Sequence, residues 1–325
     1  MPWLACLLLA ALLILPRSAH ATPAEDAAAV EIVQRSLALR AARSAGDEAA
    51  EADALVALGR AFRAVGRHAE ATERFQAAEA IDRRISRPVA RASDLVELGT
   101  QSWLLGDHRG ARKRFEAAFR AYQDADQPLG AADALNNLGL VLLDLRALDA
   151  AARALESAVA LFEAGADPDG LGDAWTNLAL VYGDQGRYGD AIAAFRAALD
   201  AFSSTDNRSG RLAALHDLGN LYAELGDFER AEQLTRQARP LAESPAEVAA
   251  VDQALGALLL AAGDAAGAAS LIRTSLAQAV DGDRPGLLLN LGQAQRAAGQ
   301  DAAAAEAFAA ATDAARASGD RRTEA

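Results

Sequence analysis

The pair Leu-Gly recurs along this sequence at a nearly fixed interval: Leu58-Gly59, Leu98-Gly99, Leu138-Gly139, Leu218-Gly219, Leu255-Gly256 and Leu291-Gly292, with Leu178-Ala179 once in its place. Successive pairs are 40, 40, 40, 40, 37 and 36 residues apart. A period of this length marks a chain built from repeated supersecondary units. Each unit leaves an apolar face that only its neighbours cover, so the architecture is an array and not one closed core.

A second set of residues keeps phase with the first. Thirteen residues after each Leu stands an alanine, at Ala71, Ala111, Ala151, Ala191, Ala231, Ala268 and Ala304. Four further on comes a bulky apolar residue, Phe75, Phe115, Leu155, Phe195, Ile272 or Phe308, with Thr235 as the exception. Three beyond that lies a small one, Ala78, Ala118, Ala158, Ala198, Ala238, Ser275 or Ala311. Between the halves sits a turn, VGRH, LGDH, QGRY, LGDF, AGDA or AGQD, whose glycine suits a left-handed cap at the end of a helix. Apolar residues three and four apart put one stripe on each helix. The Gly and Ala positions let two antiparallel helices approach closely, and the Phe or Leu is expected to fill the space between neighbouring hairpins. Much of the 52% hydrophobic content is alanine and strand-like alternation is scarce, so no sheet is expected.

The fourth unit carries Trp175, Leu178, Tyr182, Ala191, Phe195 and Ala198, and meets the pattern W-x2-L-G-x2-Y followed by A-x3-F-x2-A almost in full. The chain therefore resembles the tetratricopeptide-repeat (TPR) family over seven repeats, residues 53–317. The forty-residue period is similar to the long variety found in kinesin light chains and spindle-orientation adaptors. The resemblance implies an all-α fold, a right-handed α-solenoid of stacked antiparallel helix hairpins (a TPR superhelix). It also places Trp175 in the core. Residues 22–52, with one helix over Glu25 to Arg43, read as an N-terminal capping helix and linker, and residues 318–325 as a C-terminal tail.

The first 21 residues, MPWLACLLLAALLILPRSAHA, have an apolar run from Leu4 to Leu15, then Pro16, then Ala19-His20-Ala21. That is the form of a signal peptide cut after Ala21. The run is too short for a spanning helix, which needs about 20 apolar residues. A periplasmic or secreted location follows as the expectation, with no membrane insertion after cleavage. Cys6 is the only cysteine and lies at the start of the run, so the mature chain has no disulfide and no thiol nucleophile. The formal charge of −13 becomes more negative once a leader carrying Arg17 is removed, and it disfavours nucleic acid and anionic lipid. The abundance of Ala, Arg and Asp beside a single lysine, Lys113, suits a GC-rich bacterium.

In the resemblance, the first helix of each hairpin lines the concave groove. There repeats three to five carry Asp133, Asn136, Asn137, Asp144, Asp173, Thr176, Asn177, Asp184, His216, Asp217, Asn220 and Glu224, and repeat two carries Trp103. An asparagine offers both a donor and an acceptor, which is what an extended peptide backbone needs, and the carboxylates favour Lys or Arg in a ligand. These residues read either as a binding groove or as a solvated face with inter-helix hydrogen bonds, and Trp103 either as an aromatic anchor or as ordinary packing. No metal-ligand spacing, phosphate loop, GxSxG elbow or Cys-His pair occurs, so no cofactor, metal or catalytic residue is expected. The reading is an exported protein–protein interaction scaffold that binds a neutral to basic protein or peptide. Two alternatives stand beside it: the sensor portion of a signalling or protease system, and an enzyme with an unrecognised groove site.

Overall fold

A computed structural model describes residues 23–318 of the chain. The expected signal peptide, Cys6, the cut after Ala21 and residues 319–325 of the tail lie outside the described residues. The described residues form fifteen α-helices, one short 3-10 turn and no strand. In chain order they are α1 (Pro23–Ala45), α2 (Glu48–Ala64), α3 (His68–Arg84), α4 (Pro88–Leu104), α5 (His108–Asp124), α6 (Pro128–Asp144), α7 (Leu148–Gly165) and α8 (Pro168–Asp184). There follow α9 (Tyr188–Ser204), α10 (Arg208–Glu224), α11 (Phe228–Ala238), α12 (Pro245–Ala261), α13 (Ala265–Leu276), α14 (Arg284–Ala297) and α15 (Asp301–Ser318). Every Leu-Gly pair falls on an even-numbered helix, and each hairpin consists of that helix and the next. No described helix is long and apolar enough to cross a membrane. The chain divides into two compact units, one up to Gly170 and one from Leu171 onward, and each is described by itself.

Local chemistry sets the helix ends. Turns inside a hairpin place glycine at a left-handed φ, from 67° to 87° across the chain's positive-φ glycines, as at Gly66, Gly106 and Gly186. Repeat three has Arg146 there instead, at φ 58°. Turns between hairpins use other residues in the left-handed region, Ser86, Asp126, Ala166 and Asp206. Five of the following helices, α4, α6, α8, α12 and α14, carry proline in their first turn, where the missing N–H costs nothing. Side chains of Asp107, Asp227 and Asp264 accept from backbone N–H groups of the first turn of the helix they cap, at 2.8–3.1 Å.

Within each hairpin the bulky residue of the second helix meets the glycine of the first. A Cβ placed on Gly59, Gly99, Gly139 or Gly292 would come 2.4–2.7 Å from Phe75, Phe115, Leu155 or Phe308 respectively. Expected to fill the space between neighbouring hairpins, these residues also seat against the glycine of their own hairpin, which leaves a notch for them. The step to the next hairpin is filled by a second set. Tyr122 packs on Gly130, Phe162 on Gly170 and Phe202 on Gly210, each 2.4–2.6 Å from where a Cβ would stand. Repeat five departs from the first lock, since Thr235 leaves a Gly219 Cβ 3.5 Å of room. Trp175 packs partly buried against Ala198, Phe202 and Ala214, in agreement with its expected core role.

Candidate functional site

In the first unit the expected site residues lie on α4 and α6. Asn137 donates its amide to the backbone oxygen of Asp133, one turn back at 3.0 Å, and both Asn136 and Asn137 are half-buried. Asp133 and Asp144 are exposed. The Trp103 indole N–H donates to Asp144 Oδ2 at 2.5 Å, and His108 Nδ1 lies 3.4 Å from the same oxygen. Trp103 is therefore held by the chain's own next repeat, and the structure gives it a partner that the sequence did not name.

In the second unit the groove positions divide. Asp184, Asp217, Asn220 and Glu224 line one open cleft of about 480 Å³, with Tyr188 at its side and Ala179, Phe195 and Leu221 as apolar lining. Asp173, Thr176, Asn177 and His216 are not part of that lining. Asn220 Nδ2 lies 3.0 Å from His216 Nε2, one helical turn away, so the histidine orients the amide. Burial pushes the Asp217 carboxyl up from its ordinary value, and His216 beside it opposes the shift only in part.

The origin of the cleft is legible in the register. Gly183, Tyr188 and Glu224 each stand eighty residues after Trp103, His108 and Asp144, which form the contact described in the first unit. Where repeat two presents an indole, repeat four presents a glycine, and the space stays open. A Cβ on Gly183 would meet nothing within 4 Å. The arrangement offers three carboxylates, an amide and a phenol over an apolar floor. Acceptors set over an apolar floor are chemically complementary to an apolar body with a hydrogen-bond-donating tip. Among the described residues no group of three or more His, Cys, Asp or Glu is placed to hold a metal ion.

Two adjoining segments, residues 98–170 and 171–244, each match the sequence pattern described as tetratricopeptide repeat. Over these residues the chain belongs to the tetratricopeptide-repeat family. Solved structures of similar fold accompany the match. The TPR chain shares 14% identity with aspartyl phosphate phosphatase F of Bacillus subtilis, over 85% of this chain and 73% of that one, at a TM-score of 0.58. It shares 10% with the quorum sensor NprR of B. thuringiensis, over 90% and 99%, at 0.56. With the nearly identical TPR-like repeats of a Podosopora anserina kinesin light chain it shares 18%, over 59% and 95%, at 0.51. At such identities the likeness is one of TPR fold. No curated protein matches the sequence.

Sequence reasoning missed a second polar site of the first unit, on TPR repeats one and two, where Asp82 and Asp94 are each 2% exposed. The signal was available: Asp94 stands in register with Ala134, Ala174 and Ala214, all of them fully buried.

Proposed function

We propose that this TPR protein is an exported interaction scaffold without chemistry of its own, and that it binds an extended, basic segment of a partner protein. The observation that carries the reading is the acidic cleft of Asp184, Asp217, Asn220 and Glu224, open because Gly183 has no side chain. The contact in the first unit, an N–H donor seated on a carboxylate, supports a donor-bearing ligand at the corresponding place. The structural neighbours named phosphatase F, NprR and kinesin light chain share the fold on which this reading builds. The signal-like N-terminus supports an extracytoplasmic location.

Gly183 provides the test. It sits in a helix with open space around it, so Gly183→Leu fills the cleft while raising helix propensity by up to about 1 kcal/mol. The probe is a dye-labelled extended nonapeptide with central lysines, compared with its glutamate counterpart by fluorescence anisotropy. The lysine peptide should bind the natural chain and lose at least tenfold on Gly183→Leu and on Asp184→Asn/Glu224→Gln, with binding weakened by salt. Equal binding of both peptides, or binding unchanged by Gly183→Leu, overturns the assignment of the cleft. Export is read separately, by N-terminal sequencing of the protein recovered from the extracytoplasmic fraction, where Thr22 is the expected first residue.

A further inference from the structure

The junction between the first two repeats breaks the pattern of the later ones. Tyr122, Phe162 and Phe202 pack on Gly130, Gly170 and Gly210, and the buried alanines Ala134, Ala174 and Ala214 stand nearby in each following helix. In register with these, the first junction carries Asp82 for the aromatic ring, Ala90 for the glycine and Asp94 for the alanine. The ring is missing, and a cleft of about 300 Å³ remains, lined by Asp53, Val56, Arg60, Asp82, Ser93 and Asp94 among others. Packing does not explain the exchange, since three repeats use alanine at the Asp94 position with no exposed surface at all.

The arginines around the pair are each engaged by another carboxylate, and Arg87 reaches Asp94 only through its charge. On α2, Arg60 and Arg63 are both held by Glu97 of α4, at 2.5 and 2.7 Å. Arg87, in the turn before α4, bridges Asp82 of α3 and Asp53 of α2 at 3.1 and 3.0 Å. Arg91 of α4 lies 2.8 Å from Glu79 of α3. Tyr122 of α5 bonds to Ser93. Asp94 leans on Asp82, and its Oδ2 is buried with no hydrogen-bond partner. An orphaned carboxyl oxygen at the foot of an open cleft is costly unless a ligand completes it.

We infer that this cleft is a binding site for a primary ammonium group, seated on Asp94 and Asp82 with Ser93 at its side. Three oxygen-bearing groups suit the three N–H donors of an ammonium, whereas among the described residues no three His, Cys, Asp or Glu are placed to hold a metal ion. Lys113, the chain's one lysine, is not among the residues that line the cleft. Burial, with the Asp82 charge and hydrogen bond next, raises the Asp94 carboxyl to about 8. Binding near neutral pH therefore exchanges a proton for the cation: the carboxylic acid gives its proton to water and the carboxylate keeps the ammonium.

Calorimetric titration of the full chain with n-butylammonium chloride and with the tripeptide acetyl-Gly-Lys-Gly-amide tests this, beside Asp94→Ala, the residue the other repeats already hold there. A second variant, Asp82→Phe/Ala90→Gly/Asp94→Ala, rebuilds the later junctions and fills the cleft. Saturable one-to-one binding is expected, tightening about tenfold per pH unit between pH 6 and pH 8 and lost at least tenfold in both variants. Binding of both probes establishes a site for the ammonium itself. Binding of the tripeptide alone assigns it to a lysine of a polypeptide. No saturable binding, or equal binding to folded Asp94→Ala, overturns the inference.

Discussion

At the scale of single residues, the glycines opposite large side chains set what each hairpin tolerates. A Cβ on Gly99 would stand 2.6 Å from Phe115, so Gly99→Ala should cost about 1–3 kcal/mol, measured by urea unfolding. Gly219 faces Thr235 with 3.5 Å to spare, so Gly219→Ala should instead gain about 0.5–1 kcal/mol through the helix preference alone. Two mutations of the same chemistry at the same repeat position thus have opposite signs. Repeat four holds both Ala179 and Phe195 buried, which shows that the ring can give way when the surrounding hairpin is built for it. Asp94 supplies a pH signature. Its folded value of about 8 lies above an unfolded value of about 3.9, so the folded chain binds the proton more tightly. Stability from this group is fully present below about pH 4 and falls as pH rises through 8. The thermal midpoint of Asp94→Ala should accordingly decline less between pH 5 and 8 than that of the natural chain, and parallel slopes would refute this. Asp94 also marks what was hard to read. Its departure from alanine is visible in the repeat register, but a single carboxylate in a helix looks like any solvated charge until its burial is known.

At the scale of elements, the two-helix period, the glycine turns and the absence of sheet were all legible, because each is written into spacing that recurs seven times. The second lock of Tyr122, Phe162 and Phe202 was not, since those aromatics fall near helix ends and their glycine partners lie in the next hairpin. The candidate cleft was half legible: Asp184, Asp217, Asn220 and Glu224 fall together as their register implies. His216 turns to Asn220, and Trp103 to Asp144, because a side chain at the right helical face takes the nearest partner its rotamer reaches. Ala166 ends α7 at φ 53° and ψ 43°, a conformation that disfavours a Cβ. Ala166→Gly should raise stability by about 0.5–1 kcal/mol in chemical denaturation, smaller than the strain relieved because glycine also loosens the unfolded chain. Where α12 begins, Ser244 and Glu247 form a reciprocal cap. Backbone N–H groups of Ser244 and Glu243 hold the Glu247 carboxyl down to about 2. This depressed value contributes stability above an unfolded pKa of about 4.3, and the contribution disappears as pH falls toward 2. Glu247→Gln should therefore lower the thermal midpoint at pH 7 and converge with the natural chain near pH 2.

At the scale of the whole molecule, stability is a sum of hairpins and their neighbour contacts, so it need not be uniform. The helices α4 to α7 run 17 or 18 residues with Phe115, Leu155 and Phe162 almost wholly buried, while α11 and α13 have 11 and 12 residues and the chain between α11 and α12 tightens into a 3-10 turn. Amide hydrogen exchange should be slowest over residues 88–165 and faster over 228–297, and uniform protection across both stretches would contradict a stability built repeat by repeat. The second lock has a consequence for the length of the chain itself. Because Tyr122 meets Gly130 in the same way that Phe162 meets Gly170, excising residues 128–167 would bring Tyr122 to Gly170 with every later contact still in phase. Over its forty-residue repeats the protein is in this respect like a zip fastener: removing a whole tooth leaves it closed, and removing part of one leaves a ring facing the wrong side of its helix.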